Sequence, residues 1–228
     1  MFHWMLLLLA IPAQAQVQAH IDSARKAEAA GDFRTAEKEY VEALKGREDW
    51  ELFQRLGLVR HLQNKYPEAI DALEHSVRIN PDAWGAQLFL GIDYYRTNQF
   101  ARALEALSHS ARIEPNQPEV QFWIGVTDIA LKRYLDGLQI LAEVSQRQPD
   151  NLEAVRIMAQ ASSDYSVQLH NLVTAEHPES AWAHRVHGQA LENDGSCDAA
   201  LVEYRKAREL KPNMEGIREA IARCEKRN

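Results

Sequence analysis

Several features that would point to a defined chemistry are scarce or missing in this 228-residue sequence. It has two cysteines, Cys197 and Cys224, too few for a CxxC-paired zinc site or a disulfide-dense scaffold. No Gly-rich phosphate loop and no Ser-His-Asp ordering is present, so the usual nucleotide and hydrolase signatures are lacking. Basic residues are in deficit, 26 against 33 acidic for a net charge of −7. Nothing general therefore draws the chain to a phosphate backbone, and nucleic acid is not an expected partner. The run Met5–Ile11 is only seven apolar residues, well short of the roughly 20 that a membrane-spanning helix needs. No later run is long enough either, which argues against a membrane span in the mature chain.

With 46% hydrophobic and 26% charged residues, the sequence has what a folded protein of this size needs to bury a core. Its N-terminus reads separately. After Met5–Ile11 comes Ala13-Gln14-Ala15, a short apolar stretch and a small-x-small site that together predict a secretory signal over residues 1–15. The expectation is an exported protein, periplasmic or extracellular, free in solution after cleavage at about Ala15. The segment ahead of the apolar run, Met1 to Trp4, carries neither Lys nor Arg. A short buried or amphipathic N-terminal helix is the alternative.

Beyond residue 15 the sequence keeps time. Ala36, Ala69, Ala103 and Gly137 follow one another at intervals of 33, 34 and 34, and Pro81, Pro115 and Pro149 stand 34 apart. A helix does not readily continue through such prolines, so they punctuate units. Within Trp84 to Pro115, apolar residues recur at helical spacing in two runs, Leu88 to Tyr95 and Phe100 to Ala111, separated by the polar Thr97-Asn98-Gln99. Each unit is therefore a helix-turn-helix. Leu90, Gly91, Tyr94, Ala103, Leu107 and Pro115 in this unit, and Gly57, Gly125 and Gly188 in others, resemble the tetratricopeptide repeat family.

That resemblance implies an all-α, right-handed superhelical solenoid of antiparallel helix pairs, with about six repeats over residues 16–212 and a capping helix over 213–228. The interval from Pro149 to Pro178 is 29 residues, so the fifth repeat is shortened. A turn is expected in it at Ser162-Ser163-Asp164, with a second helix from about Tyr165 to Glu176. In the tail, Ile217, Ala220, Ile221 and Cys224 form the stripe that would cover the last pair.

The family uses such arrays to bind peptides, with first helices lining a concave groove. Matching phases place Arg55 and Leu58, then Phe89, Ile92, Tyr95 and Arg96, then Phe122, Trp123 and Val126 on that surface. The implied function is a non-enzymatic protein-protein interaction scaffold holding an apolar or amphipathic peptide in repeats two to four. Self-association, a homo-oligomer whose groove is filled by a second copy, is the alternative. The Lys, Asn and Arg set of the family's carboxylate clamp is absent, its phases being held by Ile21, Arg25, Arg55, Gly85 and Phe89.

Four histidines crowd the stretch from His170 to His187, and a metal-dependent enzyme built on His170, His184 and His187 is the remote reading. The repeat register puts His184 and His187 at packing places instead, so no metal and no cofactor is expected. His75 and His109 are expected on the surface. Cys197 and Cys224 fall on helices that should lie side by side, which allows a disulfide between them.

Overall fold

The computed structural model describes residues 13–226, and all regular structure among them is helical. The helices are α1 (Ala13–Ala29), α2 (Phe33–Ala43), α3 (Trp50–Leu62), α4 (Tyr66–Ile79), α5 (Trp84–Arg96), α6 (Phe100–Ile113), α7 (Pro118–Ala130), α8 (Tyr134–Arg147), α9 (Leu152–Glu176), α10 (Ala181–Asn193), α11 (Cys197–Leu210) and α12 (Ile217–Glu225). The apolar run Met5–Ile11 lies outside the described residues. No described helix is long and apolar enough to cross a membrane. The chain divides into two compact units, residues 1–158 and 159–228.

In the first unit four antiparallel pairs, α1–α2, α3–α4, α5–α6 and α7–α8, stack in order. Their turns need one residue in the left-handed region after the first helix, where the final carbonyls are capped. Gly31, Asn64, Asn98 and Lys132 supply it, with φ of 74°, 59°, 60° and 65°. Within a pair the backbones come close because small residues face each other. A Cβ on Gly91 would stand 2.5 Å from Leu107 Cγ, and one on Gly137 would stand 2.7 Å from the Gly125 carbonyl oxygen. Buried hydroxyls tie two pairs further, Ser76 Oγ donating to the Trp50 carbonyl at 2.8 Å and Ser110 Oγ to the Trp84 carbonyl at 2.9 Å. First helices also meet each other directly, α3 against α5 and α5 against α7.

In the second unit α10 and α11 form a pair and α12 lies against α11. Ile217, Ala220, Ile221 and Cys224 turn inward to join Cys197, Ala200, Leu201 and Tyr204 in one buried cluster. Tyr204 Oη donates to Glu192 at 2.7 Å, and the Arg223 guanidinium reaches the same carboxylate from α12.

One expectation is corrected here. No turn forms at Ser162-Ser163-Asp164, because α9 runs unbroken for 25 residues. Serine and aspartate are tolerated within a helix at modest cost, and nothing in Ser162-Ser163-Asp164 obliges the chain to leave it. Cys197 and Cys224 are buried free thiols in one cluster.

Candidate functional site

The first helices α3, α5 and α7 carry an aromatic band in the first unit. On α5 and α7, Tyr95 packs edge-on against Trp123 with ring centroids 5.5 Å apart, and Phe122 meets Trp123 at 5.5 Å and 81°. The Arg96 guanidinium lies over the Trp123 ring at 5.3 Å, a cation-π contact that positions an exposed charge beside an apolar surface. His61 of α3 meets Phe89 of α5 edge to face at 5.2 Å and Tyr66 of α4 at 5.8 Å. The spacing of the repeat explains the pairing. A residue in the last turn of one first helix falls beside the middle of the next first helix, so His61 reaches Phe89 as Tyr95 reaches Trp123.

Beneath this band sits a buried charge that the sequence pattern did not single out. His61 Nδ1 donates to Asp93 Oδ1 at 2.5 Å, and Asp93 is fully buried. Its other oxygen, Oδ2, meets no donor among the described residues. Burial pushes the Asp93 carboxyl above its ordinary range, against the opposing pull of His61 and Arg96. An aspartate in a helix interior three residues before Arg96 looks like solvated surface in a sequence. Only the approach of α3 reveals its partner.

The sequence-predicted groove residues divide into two sets. Phe89, Tyr95, Phe122, Trp123 and Leu58 are half-buried, while Arg55 and Arg96 are exposed. These keep apolar or cationic surface available. Ile92 and Val126 are only 3% and 5% exposed. They belong to the core and present nothing to a partner, which corrects their assignment. The cause is direct packing of first helices: Ile92 joins Leu88, Leu107, Val120 and Ile124 in one cluster between α5 and α7. Arg55 spans to α1, where its Nη1 donates to Glu28 at 3.2 Å; Tyr40 Oη donates to the same carboxylate at 2.6 Å.

The histidines are dispersed in role. His184 is buried, its Nδ1 donating to Glu203 at 2.7 Å, and that bond holds the Glu203 carboxyl below its usual range. His170 and His187 have ring centroids 6.2 Å apart, and His187 is exposed instead of packed. His75 and His109 are half-buried, His75 because it stacks on Phe53 at 5.0 Å and 17°. Among the described residues no group of three or more His, Cys, Asp or Glu side chains is arranged to hold a metal.

Tetratricopeptide repeat models match residues 21–84 and 61–122. No curated protein matches the sequence. Among solved structures, a tetratricopeptide repeat protein from Parabacteroides merdae is similar in fold, with a TM-score of 0.58 at 15% identity over 92% of this chain and 99% of that one. MamA from Desulfovibrio magneticus RS-1 gives 0.58 at 12% identity, covering 88% and 97%. YrrB, described as a TPR protein with an unusual peptide-binding site, gives 0.50 at 16% identity, covering 82% and 97%.

Proposed function

This chain belongs to the tetratricopeptide repeat family, and from that premise we propose that it is a non-enzymatic scaffold that binds a partner peptide along α3, α5 and α7. The observation that carries this reading is the half-buried band of Phe89, Tyr95, Phe122 and Trp123 with Arg96 beside it. Half-buried aromatic rings offer large, rigid contact area at little entropic cost, which is the composition of binding hot spots. The exposed guanidinium beside them suits one carboxylate. The ligand is accordingly an amphipathic or extended peptide with aromatic or leucine anchors and an acidic residue between or next to them. The peptide-binding description of YrrB, a protein of similar fold, supports the same use of the array.

A peptide array of such sequences, probed with the purified protein, tests it. Peptides with two apolar anchors and one carboxylate should bind, and the Phe89→Ala/Trp123→Ala variant should lose them while its helical circular dichroism is unchanged. Equal binding by that variant would contradict the reading. Export belongs to the same proposal, and rests on Met5–Ile11 followed by Ala13-Gln14-Ala15. Intact mass of protein recovered from cells should show a chain beginning at Gln16, and a retained Met5–Ile11 would remove the signal peptide from the account.

A further inference from the structure

The start of α10, in the second unit, departs from the packing rule of the array. Aligned on Gly188 and Gly91, Trp182 and Arg185 hold the places of Gly85 and Leu88. In the third repeat those places serve stacking. A Cβ on Gly85 would stand 3.0 Å from Gln54 Nε2 of α3, and Leu88 is buried with Val120 and Ile124 of α7. The second unit puts an indole and a guanidinium there instead. Stacking asks for neither, and Trp182 is left 47% exposed.

Two cations lie on that ring. Arg185 Cζ stands 5.4 Å from its centroid, and Lys211 Nζ, from the end of α11, stands 5.3 Å from it. Gly216, the residue before α12, makes room for the first of them, since Arg185 Nη2 lies 3.4 Å from where a Cβ on Gly216 would be. Elsewhere in this unit Arg205, Lys206 and Arg223 are paired with Glu225, Glu203 and Glu192. Arg185 and Lys211 meet no carboxylate among the described residues, although the exposed Glu209 and Glu215 lie close in sequence. Both charges are therefore held against an aromatic ring without the anion that would neutralise them. An exposed ion pair is ordinarily worth little, in part because two long side chains must be immobilised to form it. Here the indole already restrains both cations, so less of that ordering cost falls on binding.

We propose that Trp182, Arg185 and Lys211 form a second interaction surface, which takes a short acidic segment of a partner protein. Standing 5.4 and 5.3 Å from one centroid, the two charges are no more than 10.7 Å apart. Acidic residues two apart in an extended chain project on the same side with a separation of about 7 Å, so a segment with an acid at each of two alternate positions spans them. The guanidinium takes one carboxylate through paired N–H bonds and the ammonium takes the other. The exposed indole shields both contacts from water and so strengthens them. A chain of net charge −7 does not gather a phosphate backbone, which favours protein carboxylates over nucleic acid as the occupant. The surface lies wholly within residues 159–228 and is independent of the aromatic band on α3, α5 and α7.

NMR titration of the full chain with the peptide Ser-Gly-Glu-Gly-Glu-Gly-Ser, which has no apolar anchor for that band, tests it. The indole N–H signal that disappears in Trp182→Phe identifies the ring. That signal should move with the peptide, stay still with a counterpart carrying Gln for Glu, and move equally in the Phe89→Ala/Trp123→Ala protein. Lys211→Glu, at an exposed position, should bind about tenfold more weakly with unchanged helicity, and about 0.5 M NaCl should weaken the wild type severalfold. An unmoved Trp182 indole, an equal response to the Gln peptide, or a response lost in Phe89→Ala/Trp123→Ala would each overturn the proposal. So would unchanged affinity in Lys211→Glu, or tighter binding of a single-stranded oligothymidylate than of the peptide.

Discussion

Lys132 is the residue whose backbone is worst suited to its place. It closes α7 with φ of 65°, where the equivalent positions hold Gly31, Asn64, Asn98 and Gly195, and a side chain in that region costs about 1 kcal/mol. Lys132→Gly should therefore stabilise the protein by about 1 kcal/mol, read as a higher urea midpoint at constant slope. Asp93 provides a pH signature. Its carboxyl is pushed above the ordinary value of 3.8, first by burial. A group raised on folding gives stability that is present below its unfolded value and is lost as pH rises through its folded value. Asn at this position keeps an acceptor for His61 but does not titrate. The stability of Asp93→Asn relative to wild type should therefore improve as pH rises above 3.8, and a difference that is flat with pH would show that the carboxyl is not perturbed. Neither feature is marked in the sequence. Lys is an ordinary residue after a helix, and the partner of Asp93 lies 32 residues away on α3.

At the scale of the helix, small residues and prolines were legible because they act on the backbone. Gly91, Ala103 and Gly137 recur where pairs touch, and Pro81, Pro115 and Pro149 recur where pairs end. The contact of Gly137 with Gly125 is the tightest in the first unit that involves main chain, since a Cβ would stand 2.7 Å from the carbonyl oxygen and 3.1 Å from Ile129 N. Gly137→Ala should cost about 2 kcal/mol, because backbone cannot step aside as a side chain can; thermal unfolding of that variant beside Gly31→Ala separates overpacking from loss of glycine's freedom at a turn. Other features were not legible because they depend on which helices adjoin. Ile92 and Val126 look like groove residues by phase, and are buried because Ile92 packs against Val120 and Ile124 of α7 and Val126 against Leu141 and Val144 of α8 and Ala154 of α9. The break expected at Ser162-Ser163-Asp164 fails because polar residues permit a turn without enforcing one. The continuous α9 is what leaves apolar surface on both of its halves.

For the whole molecule, the array spreads stability over neighbouring pairs, and polar clasps at the ends of first helices hold neighbours in register. Glu28 takes Tyr40 and Arg55, and Glu192 takes Tyr204 and Arg223. Between α2 and the α3–α4 turn, Glu37 takes Lys65, Gln63 and Arg60. Burial pushes the Glu37 carboxyl up, but these donors outweigh it and leave it below 4.5. A group lowered on folding gives stability above its unfolded value and loses it as pH falls through its folded one. Glu37→Gln should thus cost about 1 kcal/mol at neutral pH, a deficit that fades in acid. The aromatic band on α5 and α7 is held by its own ring contacts, Tyr95 against Trp123 and Phe122 against Trp123, and peptide recognition there is what remains to be measured. The direct measurement is calorimetric titration of an array-selected peptide into wild type, Phe89→Ala/Trp123→Ala, and a control with a replacement at exposed Leu135. Binding should weaken at least about tenfold in the double variant, about 1.4 kcal/mol, and stay unchanged in Leu135→Ala. Equal affinity in all three proteins would contradict the account.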